Sequence, residues 1–400
     1  MLRVLTLATL FPNAHRPNLG GFVARQTKGL AALPDVEVEV AAPVGMPPWL
    51  LSRHSHYAPL AALPATEIWE GLRVHRPRFP VLTVVGQRWT PRLLARTLVP
   101  MLADLRGRFP FDVIDAEFFW PDGPAAVALG RRLGVPVSIK ARGADIHFWG
   151  RRRSTAGQVL AAGRHADGLL AVSGALADDM AALGMERDRI AVHHTGVDLD
   201  RFKPTDKDTA KQALGIAGPL VVTPGALIER KGQAIAIDAL RSLPGATLLL
   251  VGDGPDRPAL ERQAAAQGAR IRFTGAVPNA RVAELLAAAD VMLLPTRSEG
   301  LANVWVEALA CGTPVVTCDV GGAREAIPED CGRLVGRDPA AFAAAAWHLI
   351  AHPPASECLR DAAARFSWQR NAEELRAHLA RLVAAAGTSS PARGGGSAER

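Results

Sequence analysis

Tyrosine occurs once in 400 residues, and cysteine four times with no Cys-x-x-Cys pair. That usage gives no metal signature and no disulfide framework, and it fits a reducing compartment. No apolar run reaches the eighteen or so residues needed to cross a bilayer. The loop after the first predicted strand lacks the G-x-G-x-x-G spacing of a dinucleotide site. Lys and Arg exceed Asp and Glu by 46 to 39, a formal charge of +7, yet the basic residues are dispersed and form no recognised nucleic-acid motif. Phosphorylated small molecules or an anionic membrane surface suit that charge better, and no nucleic-acid partner is expected.

What is present is an ordinary globular mix, 48% apolar and 21% charged, in a chain longer than one hydrophobic core organises. Two domains are expected. The apolar N-terminus is broken by threonines and runs into a glycine-bearing loop, so it reads as a first strand over 3–10 and not as a signal peptide. The loop from Phe11 to Phe22 holds the Gly20-Gly21 pair just before a helix predicted over Val23 to Leu33. A glycine pair there lets backbone approach a ligand, and free N–H groups of the first turn suit an anion such as phosphate.

Val36 to Pro43 alternates as a strand. Residues 44–66 read as a long irregular loop, with Trp49, Leu50 and Leu51 as exposed apolar candidates. Leu72 to Phe79 reads as one strand with its basic side chains on one face. From Arg88 to Arg108 the pattern is an amphipathic helix, with Arg88, Arg92 and Arg96 four residues apart on one side. That side is either solvated or a contact for an anionic membrane. Strands at 111–116 and 135–140 follow. Arg142, Asp145 and His147 gather just beyond the second of them, where sites in open α/β sheets usually lie. After strands at 168–173 and 189–194, the polar stretch 203–218 reads as a linker.

The strand and helix alternation then restarts at Leu220. Arg230 and Lys231 stand at a predicted helix start, where the dipole favours anions; an unliganded cation is misplaced there. A diphosphate would explain the pair, and removal of Lys231 is then expected to leave the unliganded fold as stable as before. The stretch from Asp290 to Thr317 is a strand, loop, helix and strand, a parallel βαβ unit. Glu299 falls in its loop. Glu307 falls in its helix, followed by the uncharged Ala308-Leu309-Ala310-Cys311-Gly312, so an unpaired carboxylate would be costly there. Two carboxylates at one sheet edge suit a polyhydroxy ligand.

The run Glu299-Gly300-Leu301-Ala302-Asn303-Val304-Trp305-Val306-Glu307 resembles the E-x7-E motif of retaining nucleotide-sugar glycosyltransferases of family 4. Ala310 to Val316, Gly252-Asp253-Gly254-Pro255 and Val320-Gly321-Gly322 continue the likeness, which extends over 1–386. It implies an α/β GT-B fold: two Rossmann-like domains facing each other across a cleft, with the C-terminal helix crossing back to the first. The corresponding boundaries are 1–202 for an acceptor-side domain, 203–218 for the linker, 219–365 for the donor domain, 366–386 for the returning helix and 387–400 for a disordered tail.

The resemblance also implies roles. Arg230, Lys231 and Glu299 form the catalytic set; Gly20, Gly21, Leu301, Asn303 and Glu307 join them on the donor, with Glu307 on the ribose. Arg142, Asp145 and His147 are acceptor-side candidates, and Arg142 stands where many members have histidine. The donor would be a nucleotide sugar and the acceptor a glycan or polyprenyl-linked glycan of surface or exopolysaccharide assembly. Two cations at the phosphates, with no Asp-x-Asp run at that end, imply metal-independent chemistry without a cofactor. A cytoplasmic enzyme is expected, with the inner face of the membrane as a peripheral station. An epimerase or hydrolase of nucleotide sugars, or a non-catalytic nucleotide-sugar binder, are the alternatives.

Overall fold

The computed structural model describes residues 1–47, 57–81 and 86–389. The chain divides into two compact units. One is Met1–Val172, Ala177–His193 and Asn371–Arg400; the other is Ser173–Leu176 and His194–Arg370. Each is built on a mostly or wholly parallel sheet with helices, so both are Rossmann-like α/β units, the GT-B type of fold.

The first unit holds β1 (Leu2–Leu7), β2 (Val36–Ala41), β3 (Val44–Met46), β4 (Thr66–Trp69), β5 (Leu72–His75), β6 (Arg78–Pro80), β7 (Val113–Ala116), β8 (Val137–Ala141), β9 (Gly168–Ala171) and β10 (Ile190–Val192). Eight of these form one sheet in the order β10-β9-β8-β7-β1-β2-β5-β4, and β3 pairs β6 separately. The order runs one way from β1 through β2 and the other way from β7 through β10. The switch point therefore lies between β1 and β7, which pair in parallel, and a ligand site is expected beyond their carboxyl ends.

Helix Thr90–Arg108 shows how the sequence covers this sheet. Leu94, Leu98, Leu102 and Leu105 recur at helical spacing and are buried, while Arg92 and Arg96 are exposed on the other side. Helix Trp368–Ser389 also serves the first unit: Leu375 and Leu379 pack with Val4, Leu30, Val113 and Leu170. Gly387 to Ser389, expected in the tail, continue that helix; residues 390–400 lie outside the described set.

The second unit holds β11 (Leu220–Pro224), β12 (Thr247–Val251), β13 (Ile271–Gly275), β14 (Val291–Leu294), β15 (Val315–Cys318) and β16 (Gly332–Val335), in the order β13-β12-β11-β14-β15-β16. All neighbours are parallel. The inner strands β11, β12, β14 and β15 are buried on both faces and largely apolar, while the edge strands β13 and β16 carry Arg272 and Arg333; Val221, Leu248, Leu250, Val291, Leu293 and Val316 pack with Ile237, Leu240 and Phe342 in one core. The switch point here lies between β11 and β14.

Three expectations are corrected. The strand over 72–79 breaks after His75, because Arg76 turns inward: it is fully buried, donates to the Pro12 carbonyl at 2.7 Å and pairs with Glu67. Its basic residues therefore share no single face. The supposed loop 44–66 contains β3 and the start of β4, an antiparallel edge joined to β5 through Glu70 and Gly71, both at positive φ; Trp49, Leu50 and Leu51 lie outside the described residues. The division between units comes at His193–His194, not in 203–218. Residues after His194 are tied into the second unit, Val197 N–H donating to the Phe366 carbonyl at 2.6 Å. Lys207–Ala213 within the supposed linker is a helix, capped by Asp206 and anchored by Lys211 on Asp290 at 3.2 Å.

Candidate functional site

At the switch point of the second sheet, the loop after β11 meets the loop after β14. Glu229–Lys231 is one tight turn ahead of helix Gln233–Ala239, so Arg230 and Lys231 precede the helix and Gly232 caps it. Their partner is Glu299. Lys231 Nζ lies 2.6 Å from Glu299 Oε1 and Arg230 Nη1 3.1 Å from the same oxygen. Thr296 donates its hydroxyl to that oxygen at 2.8 Å, and Arg230 also bonds the Ser298 carbonyl. Both cations thus have a carboxylate partner without any ligand, although they share the one. This corrects the expectation that Lys231 is an electrostatic burden on the unliganded fold. The pairing escaped sequence reading because the partners are 68 residues apart; Thr296, three residues before Glu299, was missed with it.

Glu299 and Gly300 rest on the loop after β15. Gly321 has φ +51°, and a Cβ there would stand 2.0 Å from the Glu299 carbonyl oxygen. Only glycine fits that approach. Gly322 N–H and the Ser173 hydroxyl both donate to the Gly300 carbonyl, at 2.8 and 3.0 Å. Ser173 also accepts from Leu176 N–H at 3.1 Å, three residues on at the start of helix Gly174–Ala182. Glu325, unremarked in the sequence, receives N–H groups of Gly174 and Ala175 at 2.9 and 3.2 Å and sits 3.1 Å from His194 Nε2. Burial pushes its carboxyl up, but His194 and the two N–H groups outweigh that and hold it below the usual range.

Helix Asn303–Ala310 follows Glu299 and has no side-chain cap at Ala302; Trp305 N–H donates to the Ala302 carbonyl at 3.0 Å. Leu301 is buried and Asn303 half-buried. Trp305, Val306, Ala308 and Leu309 fix the helix in the core, and Glu307 is half-buried between them. The apolar burial expected around Glu307 is present.

In the first unit the loops after β1, β7 and β8 converge. Gly20, at φ +65°, packs where a Cβ would meet the Leu10 carbonyl oxygen at 2.1 Å; the Cβ position of Gly21 faces open space. Gly21 opens helix Gly21–Ala31, whose first turn carries no acid and no side-chain cap. Arg142 lies with its guanidinium 4.8 Å from the centre of the Phe22 ring. It is ion-paired with Glu117 and donates to Gln26 at 3.2 Å. Asp145 is fully buried and accepts from the backbone N–H groups of Phe119, Arg142 and Gly143 at 2.8 to 3.1 Å. Its carboxylate thereby shapes the loop that holds Arg142. His147 sits 2.8 Å from Asp179 and is half-buried.

Sequence reading missed the charged core beneath Arg142. Asp115, Glu117, Lys140 and His193 are all buried there. Lys140 Nζ donates to Gln26 Oε1 at 2.7 Å and lies 2.8 Å from His193 Nδ1; His193 Nε2 is 2.8 Å from the Asn371 carbonyl. A carbonyl only accepts, so Nε2 carries the proton and Nδ1 accepts from Lys140. Burial, then the charge of Arg142, brings the Lys140 ammonium well below its ordinary range. Burial pushes Glu117 up, but Arg142 and Lys140 overcome this and keep it low. Burial, with Glu117 adjoining, drives Asp115 well above the carboxylate range. The available signal was alternation: Asp115 with Glu117, and Lys140 with Arg142, each two apart at a strand end.

The helix expected from Arg88 begins at Thr90; Arg88 and an aromatic, Trp89, stand in the tight turn Gln87–Trp89 just before it. Trp89 is 42% exposed, with the guanidinium carbons of Arg88 and Arg92 5.4 and 5.2 Å from its ring centre. Arg88, Arg92 and Arg96 are all exposed. Among the described residues no helix is long and apolar enough to cross a membrane.

Residues 22–201 match the family model described as Glycosyltransferase Family 4, and residues 218–352 match the one described as Glycosyl transferases group 1. A D-inositol 3-phosphate glycosyltransferase from Xylanimonas cellulosilytica is 30% identical over 349 residues, 77% of this chain and 82% of that protein. TuaC of Bacillus subtilis (strain 168), which carries the provisional name of a teichuronic acid biosynthesis glycosyltransferase, is 28% identical over 390 residues, 92% of this chain and 90% of its own. Among solved structures, Anabaena HepE in complex with UDP-glucose superposes with a TM-score of 0.70 at 21% identity, covering 95% of this chain and all of HepE. That degree of likeness bears on the fold.

Proposed function

The chain belongs to glycosyltransferase family 4, and on that premise we propose that it moves a sugar from a nucleoside-diphosphate sugar to a hydroxyl of a glycan or lipid-linked glycan, with retention of configuration. The observation that carries this reading is the cluster of Arg230, Lys231, Thr296 and Glu299 at the switch point of the second sheet. Two cations and a carboxylate held together there are suited to trade partners. The donor diphosphate takes Arg230 and Lys231, and Glu299, released from them, accepts from sugar hydroxyls. Asn303 and Leu301 line the approach to the helix that follows, and Glu307 takes the ribose.

In the reaction the bond from the anomeric carbon to the β-phosphate oxygen breaks and a bond to the acceptor oxygen forms. The departing phosphate receives the acceptor proton. Charge grows on that phosphate as the bond breaks, and Arg230 and Lys231 stabilise it where it develops. These two cations supply what a divalent ion would otherwise supply, so the chemistry is proposed to run without metal or cofactor. In the first unit, the uncapped turn at Gly20 and Gly21 offers N–H groups to an anionic group, and Arg142, anchored by Glu117, presents a fixed cation beside it. Arg142 and His147 serve the acceptor; Asp145 sets the loop on which they stand.

The likeness to TuaC favours a surface-polysaccharide acceptor, and that to HepE makes a UDP-sugar the first donor to try. The exposed Arg88, Trp89, Arg92 and Arg96 would bring a cytoplasmic enzyme to an anionic membrane where a lipid-linked acceptor resides. A panel of UDP-, GDP- and ADP-sugars with and without acceptor glycans tests the reading. Transfer that depends on acceptor supports it. Epimerised or hydrolysed donor in the absence of acceptor, at the same rate, refutes it. Flotation with anionic liposomes, lost in the triple Arg88, Arg92 and Arg96 to Ala variant, tests the membrane arm separately.

A further inference from the structure

Four cysteines and no Cys-x-x-Cys pair left the thiols without a role, but the fold of the second unit brings two of them together. Cys331 ends the turn ahead of β16, its N–H donating to the Pro328 carbonyl at 2.9 Å. Cys358 lies on helix Ser356–Ala364. Their sulphurs are 3.8 Å apart, and Asp330 Oδ2 lies 3.1 Å from the Cys358 sulphur. One donor atom from each of the three residues falls within 4.8 Å of the other two. Cys331 is buried, Cys358 half-buried and Asp330 exposed, so the cluster has a sulphur floor and an open carboxylate side.

The spacing is informative. A tetrahedral metal with bonds to sulphur of about 2.3 Å holds two thiolates about 3.8 Å apart. A carboxylate oxygen on the same ion sits somewhat closer to each sulphur, as the Asp330 oxygen does to Cys358. Two thiolates select borderline or soft ions over magnesium or calcium, which take oxygen donors. The exposed side leaves room for a water as fourth ligand. We propose that Asp330, Cys331 and Cys358 form a structural site for one zinc-class divalent cation, independent of the sugar-transfer site. Binding releases the two thiol protons to solvent. The ion would join the edge strand β16 to helix Ser356–Ala364, which packs on helix Asn303–Ala310.

Titration of the reduced full-length protein with cadmium tests the site, since thiolate ligation gives an ultraviolet charge-transfer band. The expected result is one equivalent bound, displacement of the band by zinc, and a rise in melting temperature. Cys358→Ser and Cys331→Ser should lose the band; the half-buried position of Cys358 makes that variant the safer one for folding. Asp330→Asn should keep the two-sulphur band but bind more weakly. Three results would overturn the proposal: no band at saturating cadmium, an undiminished band in Cys358→Ser, or protein isolated without reductant in which these two residues are already a disulfide, two hydrogens lighter and unreactive to maleimide. The last would make the pair a redox couple instead of a metal site.

Discussion

Lys231→Ala separates the two functions of the cluster at the second switch point. Without ligand, Lys231 and Glu299 form a pair at 2.6 Å with side chains 16% and 10% exposed. Removing one partner of a fully buried pair costs about 3–5 kcal/mol, while exposed pairs are worth about 0–1 kcal/mol. Glu299 retains Arg230 at 3.1 Å and the Thr296 hydroxyl at 2.8 Å, so the loss should fall between these limits, about 1–2 kcal/mol. For a unit of this size that lowers Tm by roughly 2–8 °C. In a Glu299→Gln background the same change should cost little, because the carboxylate that made Lys231 necessary has gone; the cycle reads the coupling directly. With donor and acceptor present, kcat should fall on the order of 10²–10³, as for loss of one oxyanion donor, and donor KM should rise less. Melting curves of the four proteins and steady-state kinetics of the first variant supply the numbers. A kcat within about threefold of wild type, or an equal stability loss in both backgrounds, would refute the reasoning.

Gly321→Ala should place a methyl against the Glu299 carbonyl in a left-handed backbone, lowering kcat/KM by about tenfold or more through a displaced Glu299; an unchanged donor titration would contradict this. Glu307→Ala should weaken nucleotide affinity by about 1.5–3 kcal/mol through loss of a charged hydrogen bond to ribose, measured by calorimetric titration of nucleotide and nucleotide sugar. His378 is buried 3.1 Å from the Ser138 hydroxyl, and burial, aided by the charges of Arg381 and Lys140, pushes it down to about 4. The unfolded chain therefore takes up a proton between pH 6.5 and 4 that the folded chain refuses, and stability falls as pH drops through that window, by up to about 3 kcal/mol. Urea unfolding at pH 7.5 and 5 should show a smaller acid loss in His378→Gln than in wild type; parallel losses would assign the effect elsewhere.

Strands were legible where both faces are buried. Leu220 to Pro224 is apolar but for Thr223 and Val291 to Leu294 is apolar throughout, and strands stand where the alternation was read to restart at Leu220 and to continue from Asp290. The sequence does not carry strand order, so neither switch point could be located from it, and the contact of Lys231 with Glu299 stayed hidden. Charged strand residues misled most. Arg76 reads as a surface residue until Pro12 and Glu67 are seen to receive it. Lys140 and Glu117 carried no signal of their own until the fold buried them together, Glu117 paired with Arg142 and Lys140 held by Gln26 and His193. The hairpin between β4 and β5 was missed because Glu70-Gly71 is an unusual pair for two positive φ values.

The separation of Lys231 from Glu299 also has a temporal side. The strands that bear their loops, β11 and β14, are neighbours in space, but β12 and β13 lie between them in the chain. On a ribosome, Arg230 and Lys231 emerge with only β11 of their sheet made and without their carboxylate, which follows Lys231 by 68 residues. Until β14 inserts beside β11, the nascent chain exposes two unmatched cations and an open strand edge together. Assembly of the proposed diphosphate site and closure of that edge thus arrive in a single step, so nucleotide protection during synthesis or refolding would time the insertion of β14 itself.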